Sequence, residues 1–273
     1  MPELPEVENV RRVLISKLKN KKITSVDVIY PSIIAYPSPE KFCQELKGEM
    51  IHDISRRGKW LIFELDHYEL LSHLRMEGKY HFKNKKDLLE KHEHVNFILE
   101  DTISLRYCDT RKFGRMYLYK KEEANDKKPL NELGLEPWDK KLTIEYLTEK
   151  YKNKNIPIKT VLLDQSIITG IGNIYADEIL FLSKINPLKK ASLLNKKELN
   201  SIIEQTKKTL EMAIIYGGTT IRSYESSEGV HGNFQNNLLV HNRSNEKCKI
   251  CNSEILKIKV NGRGTYYCPK CQK

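Results

Sequence analysis

The hydrophobic positions of the chain change their period along its length. Near the N-terminus, apolar residues recur at the helical spacing of three to four at Leu4, Val7, Val10, Leu14 and Leu18, which predicts an amphipathic first helix. Beyond it, alternation or β-rich composition between turns predicts strands at 23–29, 60–65, 95–99, 103–107 and 115–119. The first half is therefore predicted to be a mostly β domain led by one helix.

From about residue 142 the pattern becomes helical. One clear stripe, ended by Gly217-Gly218, consists of Leu199, Ile202, Ile203, Thr206, Leu210 and Ile214. Two shorter helical patterns cover 160–165 and 174–183. The charged stretch 120–137 contains two prolines and is predicted to link the two halves.

A Gly-x-Gly segment, Thr169-Gly170-Ile171-Gly172-Asn173, joins the two shorter helical patterns. Paired glycines let the backbone approach a partner closely, and the following helix N-terminus offers free N–H groups. This arrangement suits phosphate binding. It is also common as a plain turn between packed helices, so the motif alone leaves both interpretations open.

Four of the six cysteines form two CxxC pairs, Cys248 with Cys251 and Cys268 with Cys271. This spacing fits a zinc ribbon, in which four thiolates close a tetrahedral site and the metal is structural rather than catalytic. Two disulfides are the alternative, and the absence of a secretory signal disfavours them. The remaining cysteines, Cys43 and Cys108, are predicted to be buried packing residues.

Composition and charge narrow the class of protein. The 273 residues are 39% hydrophobic and 30% charged, as in folded proteins, and the net charge is +11. Residues 240–273 carry eight Lys or Arg against two Glu. Such a basic module favours a polyanionic partner, most commonly nucleic acid, although a solvated lysine-rich surface would look the same. Apolar runs such as 60–63 are far too short to span a bilayer, and the acidic N-terminus lacks a signal-peptide core. A membrane protein and a secreted disulfide scaffold are excluded.

Five segments together resemble the bacterial formamidopyrimidine-DNA glycosylase family: MPELPEVE at the N-terminus, RRGKW at 56–60, DTRKFGR at 109–115, GIGNIYADE at 170–178 and the terminal NGRGTYYCPKCQ. They occur in the family's order and cover essentially the whole chain. The resemblance implies an α+β fold: an N-terminal β-sandwich with a leading helix (1–130), a helix–two-turns–helix bundle (131–235) and a zinc-finger hairpin (236–273). DNA would lie in a basic cleft between the N-terminal sandwich and the C-terminal bundle with its hairpin.

The resemblance also implies a bifunctional repair enzyme that removes oxidised purines and cleaves the strand by β,δ-elimination. Pro2, exposed when the initiator Met is removed, would attack the deoxyribose C1′ and form a Schiff base. An α-amino group has a pKa of about 7.7–8.0, so more of it is unprotonated near neutrality than of a lysine. Glu3 would be the catalytic acid/base and Glu6 would support the site. Lys59 would act in β-elimination and Arg263 in δ-elimination.

Further positions match family residues that contact DNA. Met76, Arg111 and Phe113 would fill the gap left by an extruded base, with the arginine facing the orphaned cytosine. Core packing is the alternative for Met76 and Phe113. Matches to phosphate- or DNA-contacting positions are His73, His92, Lys154 and Asn173. The implied cofactor is one Zn²⁺ bound by Cys248, Cys251, Cys268 and Cys271, and the implied setting is a monomer acting on double-stranded DNA in the bacterial cytoplasm, at the nucleoid.

Three departures from the family pattern accompany this resemblance. Arg75 stands where glycine is usual, and His241-Asn242 replaces Tyr-Gly. The segment 219–232 matches the family's lesion-recognition loop, but Ser226-Ser227-Glu228 differs from it.

Three other functions compete with this one. The related endonuclease VIII class usually begins PEGPE rather than PELPE. A non-catalytic damage-binding protein would lack some of Pro2, Glu3, Lys59 and Arg263, and all four are present. A zinc-ribbon RNA-binding factor would leave the N-terminal signature unexplained.

Overall fold

The computed structural model describes residues 1–219 and 232–273. Most of the predicted lesion-recognition loop, including Ser226-Ser227-Glu228, lies outside the described residues. The described chain forms two compact units. The first comprises Met1–Asn131 with 217–219 and 232, and the second comprises Glu132–Tyr216 and Asn233–Lys273. The division at 131/132 falls within the charged segment 120–137 that was predicted to be a linker.

The first unit is a β-sandwich with a leading helix, which confirms the predicted fold class. Its elements are α1 (Leu4–Leu18), β1 (Lys21–Val28), β2 (Ile34–Tyr36), α2 (Pro39–Leu46), β3 (Met50–Ile51), β4 (Asp53–Arg57), β5 (Trp60–Glu64), β6 (Tyr68–His73), β7 (Lys79–Asn84), β8 (Glu93–Leu99), β9 (Ile103–Cys108) and β10 (Arg115–Lys120). They form two five-stranded sheets, in the orders β3-β1-β8-β9-β7 and β2-β10-β6-β5-β4. A core cluster joins α1 to both sheets through buried side chains such as Leu14, Phe63 and Phe97.

All five predicted strands are present, as β1, β5, β8, β9 and β10. Strands β4 and β6 and helix α2 lie outside the predicted elements, although Ser38 followed by Pro39 is a signal for the start of α2. The sequence of β4, DISRR, has a single buried position, because its other side chains lie at the sheet surface. Such a strand is recognised through its pairing with β5 rather than through its own pattern.

The second unit is helical and ends in a two-stranded hairpin. It contains α3 (Ile144–Tyr151), α4 (Ile158–Leu162), α5 (Asn173–Leu182) and α6 (Lys196–Ile215), followed by β11 (Leu256–Val260) and β12 (Arg263–Tyr267). Helix α6 begins with a capping box between Asn195 and Glu198. Its predicted stripe is buried except for Ile214, which is partly exposed. Among the described residues, no helix has the length and apolarity needed to cross a membrane.

Candidate active site

The start of α1 buries two of the predicted catalytic carboxylates. Glu3 is 2% exposed and Glu6 is 6% exposed. Glu6 Oε2 accepts a hydrogen bond from the Glu3 backbone N–H at 2.8 Å, and its Oε1 accepts from Thr219 N at 2.7 Å. Gly218 has φ +80°, and a Cβ there would press on the Glu6 carboxylate. Glu6 therefore connects the N-terminus of α1 to the segment that follows α6.

Pro2 is buried directly before this helix, whereas Met1 is 43% exposed. With Met1 in place the Pro2 nitrogen is an amide, which has no basic lone pair and is not a nucleophile. An exposed Met1 is accessible for removal, and its removal converts that nitrogen into a secondary amine.

Lys59 occupies the turn between β4 and β5. Arg57 pairs with Trp60, so Gly58 and Lys59 form a two-residue hairpin loop, and Gly58 adopts φ +58°. The Lys59 side chain is largely buried, at 6% exposed. Arg56 steadies this turn by donating from Nη1 to the Gly58 carbonyl at 2.8 Å. The tight turn therefore fixes the backbone of Lys59, and burial restricts its side chain.

His73 lies across from Trp60 on the neighbouring strand, with ring centroids 4.7 Å apart. Its Nδ1 accepts a hydrogen bond from the Arg75 backbone N–H at 2.9 Å. Burial, together with the positive charges of Arg75 and Lys59, lowers the pKa of His73 to about 3. The imidazole is therefore neutral at physiological pH. Arg75, the residue that replaces the usual glycine, adopts the left-handed φ of +52°.

The buried neutral state of His73 predicts a pH-dependent stability. Between the unfolded pKa near 6.5 and the folded value of about 3, the unfolded chain binds more protons. We expect the contribution of neutral His73 to the free energy of unfolding to be fully present above pH 6.5. This contribution should be lost as the pH falls toward 3, by about 1.4 kcal/mol for each unit of pKa difference. Urea unfolding at pH 7, 5 and 4 should show a shallower decline for His73→Gln than for the parent protein. Equal declines would contradict the assignment.

The predicted gap-filling residues lie on two loops of the first unit. Phe113 is 47% exposed, so it does not serve as a core residue in this structure, and Met76 is partly exposed. The Arg111 guanidinium lies over the Phe113 ring, 4.8 Å from its centroid. These side chains stand on the loops 74–78 and 109–114. His92 is partly buried, and its carbonyl accepts from the Asp109 N–H at 3.0 Å.

In the second unit, Asn173 begins α5 immediately after Gly172. Its Nδ2 donates to the Gly264 carbonyl at 2.9 Å, which ties the Gly-x-Gly turn to the residue after Arg263. Lys159 is fully buried and donates from Nζ to the Asn173 carbonyl at 2.8 Å and to Asp177 Oδ1 at 2.6 Å. Asn173 therefore attaches the Gly-x-Gly turn to strand β12, and Lys159 attaches α4 to the start of α5.

His241 also belongs to this buried network. Its Nδ1 lies 2.7 Å from Asp177 Oδ2, and its ring contacts Tyr266 with centroids 5.0 Å apart. Asn242 adopts φ +61°, a conformation that asparagine tolerates better than most residues that could replace glycine. Asn242 therefore suits the left-handed conformation of this position.

Arg263 is exposed at the first position of β12. It pairs with Val260 across a two-residue turn, in which Asn261 and Gly262 have φ of +43° and +77°. Positive φ at both positions matches the Asn-Gly preference of a type I′ turn. Asn261 Nδ2 donates to Thr160 Oγ1 at 2.9 Å, so the tip of the hairpin is attached to α4. Elsewhere in the unit, partly exposed Lys154 lies 3.5 Å from Asp164 Oδ2.

The four CxxC sulfurs lie within 4.8 Å of one another. The Sγ atoms of Cys248 and Cys271 are 3.9 Å apart, and those of Cys251 and Cys268 are 3.4 Å apart. A tetrahedral site with Zn–S distances of about 2.3 Å has sulfur–sulfur edges of about 3.8 Å, whereas a disulfide bond is about 2.0 Å. The set fits one zinc ion with four thiolate ligands, and the disulfide alternative is wrong.

Cys43 and Cys108 stand apart from this cluster. They are partly buried rather than buried as predicted, because Cys43 lies outside the fully buried core cluster and Cys108 is the last residue of β9. Cys43 packs against the core of the first unit. Burial raises the pKa of the Cys108 thiol to about 12, so it is protonated and unreactive at neutral pH.

Three family models match the chain in order. They are the formamidopyrimidine-DNA glycosylase N-terminal domain over residues 1–116, the formamidopyrimidine-DNA glycosylase H2TH domain over 133–225, and the zinc finger found in FPG and IleRS over 245–273. Proteins named formamidopyrimidine-DNA glycosylase from Oceanobacillus iheyensis and Bacillus subtilis are each 47% identical over all 273 residues, covering 98% and 99% of those proteins. The chain belongs to the formamidopyrimidine-DNA glycosylase family.

Solved structures of this glycosylase family agree in fold. A Lactococcus lactis FPG mutant in complex with Fapy-dG containing DNA matches with a TM-score of 0.94 and 40% identity over the full length of both chains. The Lactococcus lactis Fpg in complex with an abasic site containing DNA matches with a TM-score of 0.92 and 40% identity, again over both full chains. These matches confirm the sandwich, the H2TH bundle and the zinc finger.

Two buried charged residues that hydrogen-bond near the family motifs were not identified from the sequence. Lys159 is the single charge within the apolar run IPIKTVLL, and that isolation is the signal that could have found it. Glu178 is buried and accepts from the N–H groups of Leu239, Val240 and His241 at 2.8, 2.9 and 2.8 Å. Nothing in the local sequence shows that it anchors the start of the zinc module.

Proposed function

We propose that this protein is a base excision repair enzyme that releases oxidised purines, 8-oxoguanine opposite cytosine and formamidopyrimidines, and then cleaves the abasic strand. The observation that carries the proposal is the full-length match, at TM-score 0.94, to an enzyme held in complex with Fapy-dG containing DNA. The DNA partner and the glycosylase activity follow from this family relationship. The residue roles given below rest on motif matches together with the local geometry.

Pro2 is the proposed nucleophile once Met1 is removed. Its nitrogen lone pair forms a bond to C1′, and the C1′–base bond breaks with its electron pair leaving on the base. The Pro2 nitrogen then loses its proton, and the sugar ring opens as its oxygen gains one, which yields an iminium ion between Pro2 and C1′. This cation withdraws electrons from C2′, so loss of a C2′ proton expels the 3′ phosphate, and a second elimination expels the 5′ phosphate.

Glu3 is the proposed proton donor to the opening sugar and the acceptor in later steps. Its burial excludes bulk water from competing proton transfers. Glu6 is a positioning residue, because its carboxylate holds the Glu3 backbone N–H at 2.8 Å. Lys59, held in its hairpin turn, is proposed to contact lesion phosphate and to promote β-elimination.

Arg263 is proposed to bind phosphate and to assist δ-elimination. It is exposed, as a phosphate contact requires, and stands between a rigid two-residue turn and a zinc ligand five positions on. The zinc ion contributes structural rigidity to this hairpin through its four thiolates. Further phosphate or DNA contacts are proposed for His73 and His92 of the first unit and for Lys154 and Asn173 of the second.

Met76, Arg111 and Phe113 are proposed to occupy the space left by an extruded base. The exposure of Phe113 and the partial exposure of Met76 support this role, because core residues would be covered. Arg111 offers N–H donors that suit the acceptors on the Watson–Crick edge of cytosine. This favours cytosine over adenine opposite the lesion.

The modules 1–130, 131–235 and 236–273 are proposed as the functional divisions of the chain. The family models support them, since each predicted boundary falls in a gap between two matched segments. We further propose that the enzyme acts as a monomer in the cytoplasm, where the bacterial chromosome lies.

A substrate panel tests this function directly. Met-processed, zinc-loaded protein is incubated with matched duplexes carrying 8-oxoguanine opposite cytosine, a formamidopyrimidine opposite cytosine, thymine glycol opposite adenine, or no lesion. We expect base release and β,δ-elimination products from the first two duplexes and none from undamaged DNA. A Lactococcus lactis FPG has been solved with an oxidised pyrimidine containing DNA, so the thymine glycol arm measures the breadth of specificity. Preference for thymine glycol over both purine lesions would overturn the proposal.

A further inference from the structure

One buried tyrosine contacts both loops that carry the proposed gap-filling residues. Tyr107, near the end of β9, has no exposed surface. Its hydroxyl lies against Gly78, at the end of loop 74–78, and against Gly114, at the end of loop 109–114. A Cβ built on either glycine would overlap that hydroxyl oxygen. Only a residue without a side chain fits at these two positions, so both loops rest on the same atom.

Asp109 connects the tyrosine hydroxyl to the backbone of the second loop. Its buried carboxylate accepts from Gly114 N at 2.8 Å and from Arg111 N at 3.0 Å, and the Tyr107 hydroxyl donates to Oδ2 at 3.4 Å. His94 Nε2 lies 2.8 Å from the Asp109 carbonyl, which fixes the start of the loop. The carboxylate thus closes the loop that carries Arg111 and Phe113.

A second contact joins the two loops nearer the surface. The Thr110 hydroxyl donates a hydrogen bond to the Glu77 carboxylate. Met76 directly precedes Glu77. Its position relative to Arg111 is therefore fixed by two contacts, that of Tyr107 with the two loop glycines and that of Thr110 with Glu77.

We propose that Tyr107, acting with Asp109, is a positioning residue that fixes the separation of Met76 from Arg111 and Phe113 and thereby sets how strictly the enzyme requires cytosine opposite the lesion. The inference rests on the proposed gap-filling role of those three side chains. Its physical basis is the steep geometric dependence of hydrogen bonding. A guanidinium displaced by a fraction of an ångström loses its fit to cytosine while keeping its charge, so discrimination falls further than DNA affinity does.

The Tyr107→Phe variant tests this positioning role, and Tyr80→Phe is its matched control. Tyr80 is also buried, at 1% exposed, and packs 5.3 Å from the Tyr107 ring. Its hydroxyl donates to Ser72 Oγ at 2.6 Å, whereas the Tyr107 hydroxyl is the atom nearest to a Cβ built on either loop glycine. Both variants remove one buried hydroxyl from the same core, so they share any general loss of stability.

The measurement is single-turnover excision of 8-oxoguanine opposite cytosine and opposite adenine, with thermal unfolding recorded in parallel. We expect Tyr107→Phe to lower excision opposite cytosine by about tenfold and to lower the cytosine-to-adenine ratio, because the hydroxyl and the geometric constraint that it imposes are lost. Tyr80→Phe should unfold at a reduced temperature with an unchanged ratio. Equal ratios in Tyr107→Phe, Tyr80→Phe and the parent would overturn the inference.

Arg111→Ala separates failure of this inference from failure of the function on which it rests. If the parent enzyme excises the lesion and Arg111→Ala loses discrimination while Tyr107→Phe keeps it, the positioning role alone is wrong. If Arg111→Ala keeps full discrimination, the proposed reading of the opposite base is wrong and the positioning role fails with it. Thr110→Val, which removes the outer contact between the loops, should lower the ratio in the same direction as Tyr107→Phe.

Discussion

Retention of a residue in front of Pro2 is expected to abolish base release and strand cleavage together. The extra peptide bond converts the proposed amine nucleophile into an amide, and loss of a covalent nucleophile commonly costs about 10³-fold or more in rate. Base release and adduct formation are measured with an 8-oxoguanine:cytosine duplex in the presence of borohydride. The Met-processed protein should yield a covalent adduct that maps to Pro2 by mass spectrometry, and the extended protein should yield none.

The trapping experiment needs a suitable reference protein and a matched variant. An untagged protein is the appropriate reference, because the backbone of Lys273 is hydrogen-bonded to Asn186 and to Lys184. Glu3→Gln is the matched variant, since it keeps the amine and removes the proton donor. It should still be trapped on a preformed abasic site while releasing 8-oxoguanine slowly.

Each outcome of the trapping experiment has a definite meaning. An adduct that forms with undiminished yield on the extended protein would show that another amine is the nucleophile. No adduct from processed, zinc-loaded protein would call for the thymine glycol duplex. Failure there as well would favour a non-catalytic damage-binding protein.

Removal of zinc is the second change with a large expected effect. Structural zinc binding contributes about 10–16 kcal/mol in small zinc modules, so its loss should unfold the β11–β12 hairpin. Buried Cys248 and Cys268 belong to the same small core as Phe181, Ile255 and Tyr266, and that core would open with the metal site. We expect Cys268→Ser, or treatment with a chelator, to weaken DNA binding by at least about 100-fold because Arg263 is no longer held.

Cys43→Ser is the control for this prediction. Cys43 is partly buried and lies outside the four-sulfur cluster, so its replacement should leave one zinc per chain and unchanged DNA affinity. Zinc content is measured by elemental analysis, hairpin order by hydrogen exchange of β11 and β12, and binding by fluorescence anisotropy. Zinc-free protein that keeps both the protection of the hairpin and its DNA affinity would contradict the structural role.

Local sequence patterns were enough to identify residues whose chemistry depends only on their spacing along the chain. Two residues between paired cysteines place both thiolates at one metal, so the zinc ligands could be identified without a fold. The stripe of α1 and the alternation of β8 and β9 similarly follow from the periods of their own backbones. The proposed roles of Pro2, Glu3, Lys59 and Arg263 came from family motifs, because nothing in the local sequence distinguishes them from a helix-entry proline and from ordinary charged residues.

The sequence patterns did not predict contacts between segments that are far apart along the chain. Asp177 and His241 are 64 positions apart, and Glu6 and Thr219 are 213 apart, so only the folded chain brings each pair together. The same holds for Tyr107, whose sequence context is that of an ordinary core strand. The sequence by itself determined the class of elements, the metal ligands and the family. The tertiary structure decided which buried charges are paired, which motif side chains are exposed and which glycines face a neighbour, because these depend on packing between segments rather than on spacing within one.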